Sequence, residues 1–419
     1  MKKFTVVWIL FLCITALLSA KGQQGKEVSS ESQKTEITYF TFSAAPDHLD
    51  HLQEMISAFT QMNKDTEINV ETAGWDDYFN KLQVNIAGGI APDVFELNYE
   101  NFVTYASKGT LYDMSSLAAS DSSFSEDVFY PRSYNAFQYK GVQYGLPETF
   151  STVVLYYNKD LFDAAGLDYP EESWTWDDAI AAAKKIRDPE NDVWGLYTGI
   201  QFWEFYKKIA QNGGSVYDQN GNVVIDSREN VEALQTMLDI QNKHGIMPTD
   251  AELAGVSDGD LFVSGKLGML VSGIWMFSAF GEAEFDWDIE VEPGMSTKAT
   301  HFFANALAMS SKTESPEASW EWVKFFTSSD ESAQMRIRTG WELPTIQNQD
   351  AVAAYLTAGS PANRQAVFNS LKYSIVPPVI EKQNELQDGI GQYLSEAKYG
   401  SMTAEEALKM CRELLEDLK

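Results

Sequence analysis

The feature that most constrains this chain is a regular alternation of strand-like and helix-like segments that begins at Glu36. Ile37, Tyr39 and their neighbours Phe40 and Phe42 form a strand-like run. Leu49, Leu52, Met55, Ile56 and Phe59 then recur at helical spacing. Ile68 and Val70 mark a second strand, residues 75–87 a second helix stopped by Gly88 and Gly89, and residues 94–97 a third strand. Strands that alternate with helices predict an α/β fold built on a parallel sheet. In open sheets of this kind ligands bind outside the carboxyl ends of the strands, here near Phe42 and near Asn98.

A second α/β unit is expected from a strand over 152–157. A capping box of Thr175 and Asp178 opens the next helix, and a strand over 193–197 follows. An aromatic helix over 203–211 ends at Gly213 and Gly214. Asn220-Gly221 between two apolar runs predicts a β-hairpin. The last third reads as mostly helical, with Ser315-Pro316 starting one helix and Thr403 with Glu406 capping the final one.

Residues 1–22 carry Lys2 and Lys3, an apolar run from Phe4 to Leu18 and small residues at Ser19, Ala20 and Gly22. This is the pattern of a secretory signal peptide, with cleavage expected after Gly22. A polar, flexible leader is expected over 23–35. Cys13 is a poor candidate for lipid acylation because Leu12 is too large for that site. Removal of the signal leaves Cys411 alone, so no internal disulfide is expected. The expected location is periplasmic or extracellular. With 31 basic against 61 acidic side chains and a net charge of -30, nucleic acid is excluded as a natural partner.

No catalytic constellation stands out. Gly255, Ser257 and Gly259 match the G-x-S-x-G of serine hydrolases, but no buried strand precedes them, so a surface loop capping a helix is expected. Asp218, Asn220 and Asn222 resemble part of a calcium loop, yet Val223 stands where its glycine belongs. His48, His51, His244 and His301 lack metal-binding spacing. Neither a metal nor a cofactor is expected. Trp75, Trp203, Trp275 and Trp341 adjoin glycines or strand ends, where an indole can serve as a platform for the flat apolar face of a sugar. Most of the other aromatics, Tyr156, Tyr157, Phe325 and Phe326 among them, are expected in the core.

Blocks 81–95 (KLQVNIAGGIAPDVF), 144–147 (YGLP) and 155–162 (LYYNKDLF) closely resemble the extracellular solute-binding proteins that deliver sugars to ABC importers. So do 212–215 (NGGS), 262–266 (FVSGK) leading to 273–275 (GIW), and 403–408 (TAEEAL). The resemblance implies a two-lobed periplasmic-binding-protein fold with hinge crossings, one after Pro147, one near His301 to Phe303 and one near Ser328 to Asp330. Lobe one would then hold 36–148 and 302–328, and lobe two 149–301 and 329–419. The implied partners are a carbohydrate and an ABC transporter membrane permease, with the protein acting as a monomer and not as an enzyme. Carried over by position, the resemblance points to Trp275 and Trp203 as stacking aromatics and Ser151 as a polar contact. Asn98 and Phe42 stand beside them from their strand-end positions; Trp341 and Asn305 complete the set. Asp93 is expected to hold local structure. An exported glycoside hydrolase and a polysaccharide-binding surface protein are the alternatives. The first would need two carboxyl groups roughly 5 to 10 Å apart across a sugar bond; the second would usually show repeats or an all-β pattern, and neither is present.

Overall fold

A computed structural model describes residues 34–43, 46–339 and 343–418. The signal peptide, Cys13, most of the leader and Trp341 lie outside the described residues.

Twelve strands are found among the described residues. They are β1 (Thr35–Thr41), β2 (Thr66–Thr72), β3 (Val94–Asn98), β4 (Gln138–Tyr139), β5 (Val142–Gln143) and β6 (Gly145–Asn158). After these come β7 (Trp194–Tyr197), β8 (Leu267–Gly273), β9 (Trp287–Glu290), β10 (Thr300–Met309), β11 (Leu343–Pro344) and β12 (Ser374–Ile375). The main sheet runs β2-β1-β3-β10-β6-β8-β7, while β9 and β11 pair with β6 and β12 with β10.

The N-terminal alternation folds as its spacing predicts. Strands β1, β2 and β3 are parallel. The intervening helices are Pro46–Met62 and Trp75–Ala87, the second ended by Gly88 as its cap and by Gly89 at φ +72°. The sheet is nonetheless mixed, which corrects the expectation of a parallel one. β10 runs antiparallel to both β3 and β6, and β6 runs antiparallel to β8 and β9. Helical crossovers reveal only parallel neighbours, whereas β10 arrives from far along the chain.

β6 is longer than expected. All 14 of its residues are buried, and it passes Pro147 without a break. Thr149 pairs with Asn305 and Pro147 with Ala306, so Glu148 is skipped as a bulge. Proline lacks the N–H that a ladder needs, and a bulge beside it accommodates that loss. Asn220-Gly221 also differs from expectation. The turn forms, but only one bridge, Tyr217 to Val223, flanks it, because Asp218 accepts the backbone N–H groups of Asn220 and Asn222.

Burial supplies most of the stability. On one side Tyr39, Phe59, Trp322, Phe325 and Phe326 pack beneath β1 and β10. Around β6, β7 and β8 a larger core collects Phe162, Trp176, Phe205, Met237 and Leu408. Cys411 belongs to that core as a buried free thiol, pushed up to about 12 by burial. Asp93 takes the structural role expected of it: its carboxylate accepts from Thr38 N and Oγ1 and from Thr313 Oγ1.

Candidate functional site

Side chains alternate across a strand, so His301, Phe303 and Asn305 share one face of β10. Phe303 and Asn305 are the two residues of β10 that are not buried. Asn305 stands opposite both Asn98 on β3 and Thr149 on β6, and Phe303 stands opposite Ser151. The register therefore brings Asn98, Asn305 and Ser151, which are remote in sequence, onto adjacent strands. Asn305 Nδ2 donates to Thr149 Oγ1 at 3.3 Å. Asn98 is buried and donates to Glu100 Oε2 at 2.6 Å while accepting from Asn101 Nδ2 at 2.8 Å. Ser151 is buried, and its hydroxyl has no hydrogen-bond partner among the described residues. Such a group carries its desolvation cost until something polar meets it.

Two tryptophans converge on Phe303. Trp275 lies 5.2 Å from it, ring centre to ring centre, and Trp203 lies 5.9 Å away. Trp275 sits in the 3₁₀ turn Ile274–Met276 that follows β8. Its indole folds back over Gly273, where a Cβ would collide with the ring. Gly273 is thus the residue that lets the chain present Trp275. Trp203 rides in the first turn of helix Phe202–Gln211, which Gly213 at φ +80° ends. A buried charge cluster holds that helix: Lys207 Nζ lies 3.0 Å from Glu204 and 2.6 Å from Glu292. Lys208 sits over the Trp176 ring, and burial lowers its ammonium to about 7.

Behind Phe303, buried His301 joins separate elements. Its Nε2 is 2.9 Å from Glu100 Oε1 and its Nδ1 is 2.6 Å from Tyr206 Oη. Burial lowers the imidazole's pKa against the opposing pull of Glu100, which favours the neutral ring. In that state Tyr206 donates to Nδ1 and Nε2–H donates to Glu100. The His301 ring also lies against Phe303, tilted by 30° with centroids 3.6 Å apart, and meets Trp203 edge-on at 5.3 Å. Beside Trp203 a cavity of about 380 Å³ is lined by Gln201, Gln387, Asp388, Gln392 and Ser395.

Phe42 lies apart from these rings, in contact with Trp75, Tyr78 and Phe79. Its backbone N–H donates to Glu96 Oε2 at 3.1 Å. The sequence did not single out Phe303, Thr149 or Gln387. The run His301-Phe302-Phe303-Ala304-Asn305 could have signalled the first through its alternation, but nothing in the sequence tells which of two adjacent phenylalanines faces outward.

The arrangement offers ring faces beside amides, hydroxyls and a carboxylate, the chemistry that recognises a polyhydroxylated ligand. Ser257 of the G-x-S-x-G run caps helix Asp258–Val263, accepting from Asp260 N. Among the described residues no group of three His, Cys, Asp or Glu side chains is placed to hold a metal ion.

The model of the bacterial extracellular solute-binding proteins matches residues 45–333. An ABC substrate-binding protein from Listeria monocytogenes, solved in complex with cycloalternan, is 44% identical, with 92% of this chain and 99% of that chain covered and a TM-score of 0.89. Maltose-bound MalE3 from T. maritima shares the fold at 23% identity and a TM-score of 0.79, covering 92% and 100% of the two chains. The arabinooligosaccharide-binding protein of Bacillus subtilis (strain 168) is 27% identical over 254 residues, which span 59% of this chain and 57% of that protein. With the two solved proteins the chain shares the two-lobed α/β fold of the maltose-binding type. With more than half of its length matched by the family model, the chain belongs to the bacterial extracellular solute-binding proteins.

Proposed function

We propose that this protein captures an oligosaccharide reversibly at the Trp203–Phe303–Trp275 surface and delivers it, unaltered, to the membrane permease of an ABC importer. The observation that carries the reading is the pair of indoles set against Phe303 beside Asn305. The 44% identical Listeria protein bound to cycloalternan supports a sugar over an amino acid or peptide. We place lobe one at 36–148 with 302–328 and lobe two at 149–301 with 329–419. A ligand that touches both lobes binds the closed form better and shifts the population towards it. Residues 1–22 would direct export, and no helix among the described residues is long and apolar enough to cross a membrane. Transport therefore falls to a partner that spans the bilayer and hydrolyses ATP.

Calorimetric titration with cycloalternan, maltotriose and an arabinooligosaccharide, against free amino acids as controls, tests the assignment. Saturable binding of one sugar, recovered intact afterwards, is expected. Binding of amino acids alone would refute it, and a cleaved sugar would refute the non-catalytic part.

A further inference from the structure

Three buried polar side chains from separate elements meet on the face of β10 that carries Phe303 and Asn305. Glu100 comes from helix Tyr99–Ser107, His301 from β10 itself and Tyr206 from helix Phe202–Gln211. On the lobe division we place, Glu100 belongs to lobe one, Tyr206 to lobe two, and His301 stands at the crossing between them. The bonds of the imidazole, 2.9 Å to Glu100 Oε1 and 2.6 Å to Tyr206 Oη, therefore span the hinge. Buried polar groups are costly unless they are paired, so displacing one lobe against the other has a cost here. Both ends are anchored. Glu100 accepts from Asn98 Nδ2 at 2.6 Å within its own lobe, and Tyr206 Oη lies 3.2 Å from the carbonyl of Ile375, the β12 residue that pairs with His301.

The relay also reaches the ring surface. Tyr206 follows Trp203 by one helical turn, and the imidazole touches both Phe303 and Trp203. The opposite face of β10 carries a bridge of its own. Arg132, on helix Pro131–Ala136 of lobe one, lies over Phe302 at 4.8 Å and donates to Ser374 Oγ at 2.9 Å and to the Ser374 carbonyl at 3.3 Å on lobe two. Phe302 and Phe303 point to opposite sides of the strand, and Ser374 is level with Thr300, which shares the side of Phe302. A rotation that brings the lobes together over Phe303 shortens spans on that side of the hinge and lengthens those behind it. Hydrogen bonds weaken within a few tenths of an ångström of stretch. The His301 relay thus favours closure, and the Arg132 bridge opposes it.

We propose that His301 is a positioning residue: by joining Glu100 to Tyr206 it latches the two lobes on the sugar-bearing side and raises sugar affinity without touching the sugar. The proposal rests on the sugar-binding, two-lobed reading above. A ligand that closes the lobes completes the relay as it binds, so the bonds of His301 add to the preference for the closed form. The same bonds tie the helix that presents Trp203 to lobe one.

The test titrates wild type, His301→Leu, His301→Gln, Tyr206→Phe and Arg132→Met with cycloalternan, maltotriose and an arabinooligosaccharide, with a thermal melt on each. His301→Leu keeps bulk against Phe303 but makes neither bond, and it should bind the sugar that wild type binds at least about fivefold more weakly. The amide of His301→Gln carries both a donor and an acceptor and should recover part of that loss. Tyr206→Phe keeps its ring and should also bind more weakly. Arg132→Met removes the bridge on the other face and should bind as tightly as wild type or more tightly. Should His301→Leu fail to fold, Tyr206→Phe and Arg132→Met decide. Wild-type affinity in Tyr206→Phe, a loss in His301→Leu that His301→Gln does not reduce, or an equal loss in Arg132→Met overturns this proposal and leaves the functional reading standing. Wild type that binds no sugar of the panel overturns both.

Discussion

Replacing Arg336 with Met should destabilise the protein by about 3 to 5 kcal/mol at pH 7.5, the usual cost of removing one member of a buried ion pair. Arg336 and Glu148 are 2.9 Å apart and are 1% and 3% exposed along their side chains. Met preserves much of the stem packing, while the guanidinium stacked over Phe326 at 4.8 Å is lost. Arg336 also serves Glu96, which accepts from Tyr39 Oη at 2.8 Å. Burial raises Glu96 from 4.5 to about 6, against the lowering pull of Tyr39, Thr41, Phe42 and Arg336. The folded state therefore holds more protons than the unfolded state between pH 4.5 and about 6, and stability falls as pH rises through that window. Without Arg336 the window extends upward, so the variant should lose more stability at pH 7.5 than at pH 5. Urea denaturation followed by circular dichroism at the two pH values measures both quantities. A loss below about 1 kcal/mol at pH 7.5, or an equal loss at both, would refute the reasoning.

Trp275→Ala should weaken sugar binding by roughly 1 to 3 kcal/mol with little change in melting, since the ring is partly in water; calorimetry paired with a thermal melt checks it, and a normal affinity with early melting would make the residue core. Lys208 titrates near 7 when folded against 10.5 unfolded, so the unfolded state binds more protons between those values and Lys208 makes stability rise with pH there. Lys208→Met should flatten that rise in melts from pH 7 to 10, and an unchanged slope would contradict the assignment. Cys411 should react with a thiol reagent only at the rate of unfolding, because the thiol is buried and raised to about 12; rapid labelling of the native protein would show otherwise.

Periodicity carried much of the architecture into the sequence. The helix over 75–87 was legible to the residue because Gly88 and Gly89 punctuate it, and Thr175 with Asp178 fixed another helix start through reciprocal capping bonds. β6 was less legible. Its first residues carry a proline and a charge, Pro147 and Glu148, which read as a break, and only the bulge and the pairing with Arg336 explain how both sit in a buried strand. The mixed sheet was hidden for a related reason: β10 enters between β3 and β6 from about 200 residues away from β3 in sequence, and local pattern holds no trace of that pairing. At the candidate site, Trp275 stands out in the sequence two residues after Gly273, and Trp203 stands out shortly after the end of a strand. Phe303, which both touch, does not, because burial of Phe302 and partial exposure of Phe303 depend on which face of β10 the sheet covers. His301 read as an isolated histidine; its bonds to Glu100 and Tyr206 exist only once three distant segments meet.

Small-angle X-ray scattering of the protein with and without the sugar that saturates it in calorimetry tests the central claim most directly, because capture between two lobes must change the molecule's dimensions. A smaller radius of gyration in the presence of the sugar is predicted, with no such change for a sugar that does not bind. An identical radius with the site saturated would contradict closure and leave a sugar-binding surface without the conformational signal that delivery to a permease requires.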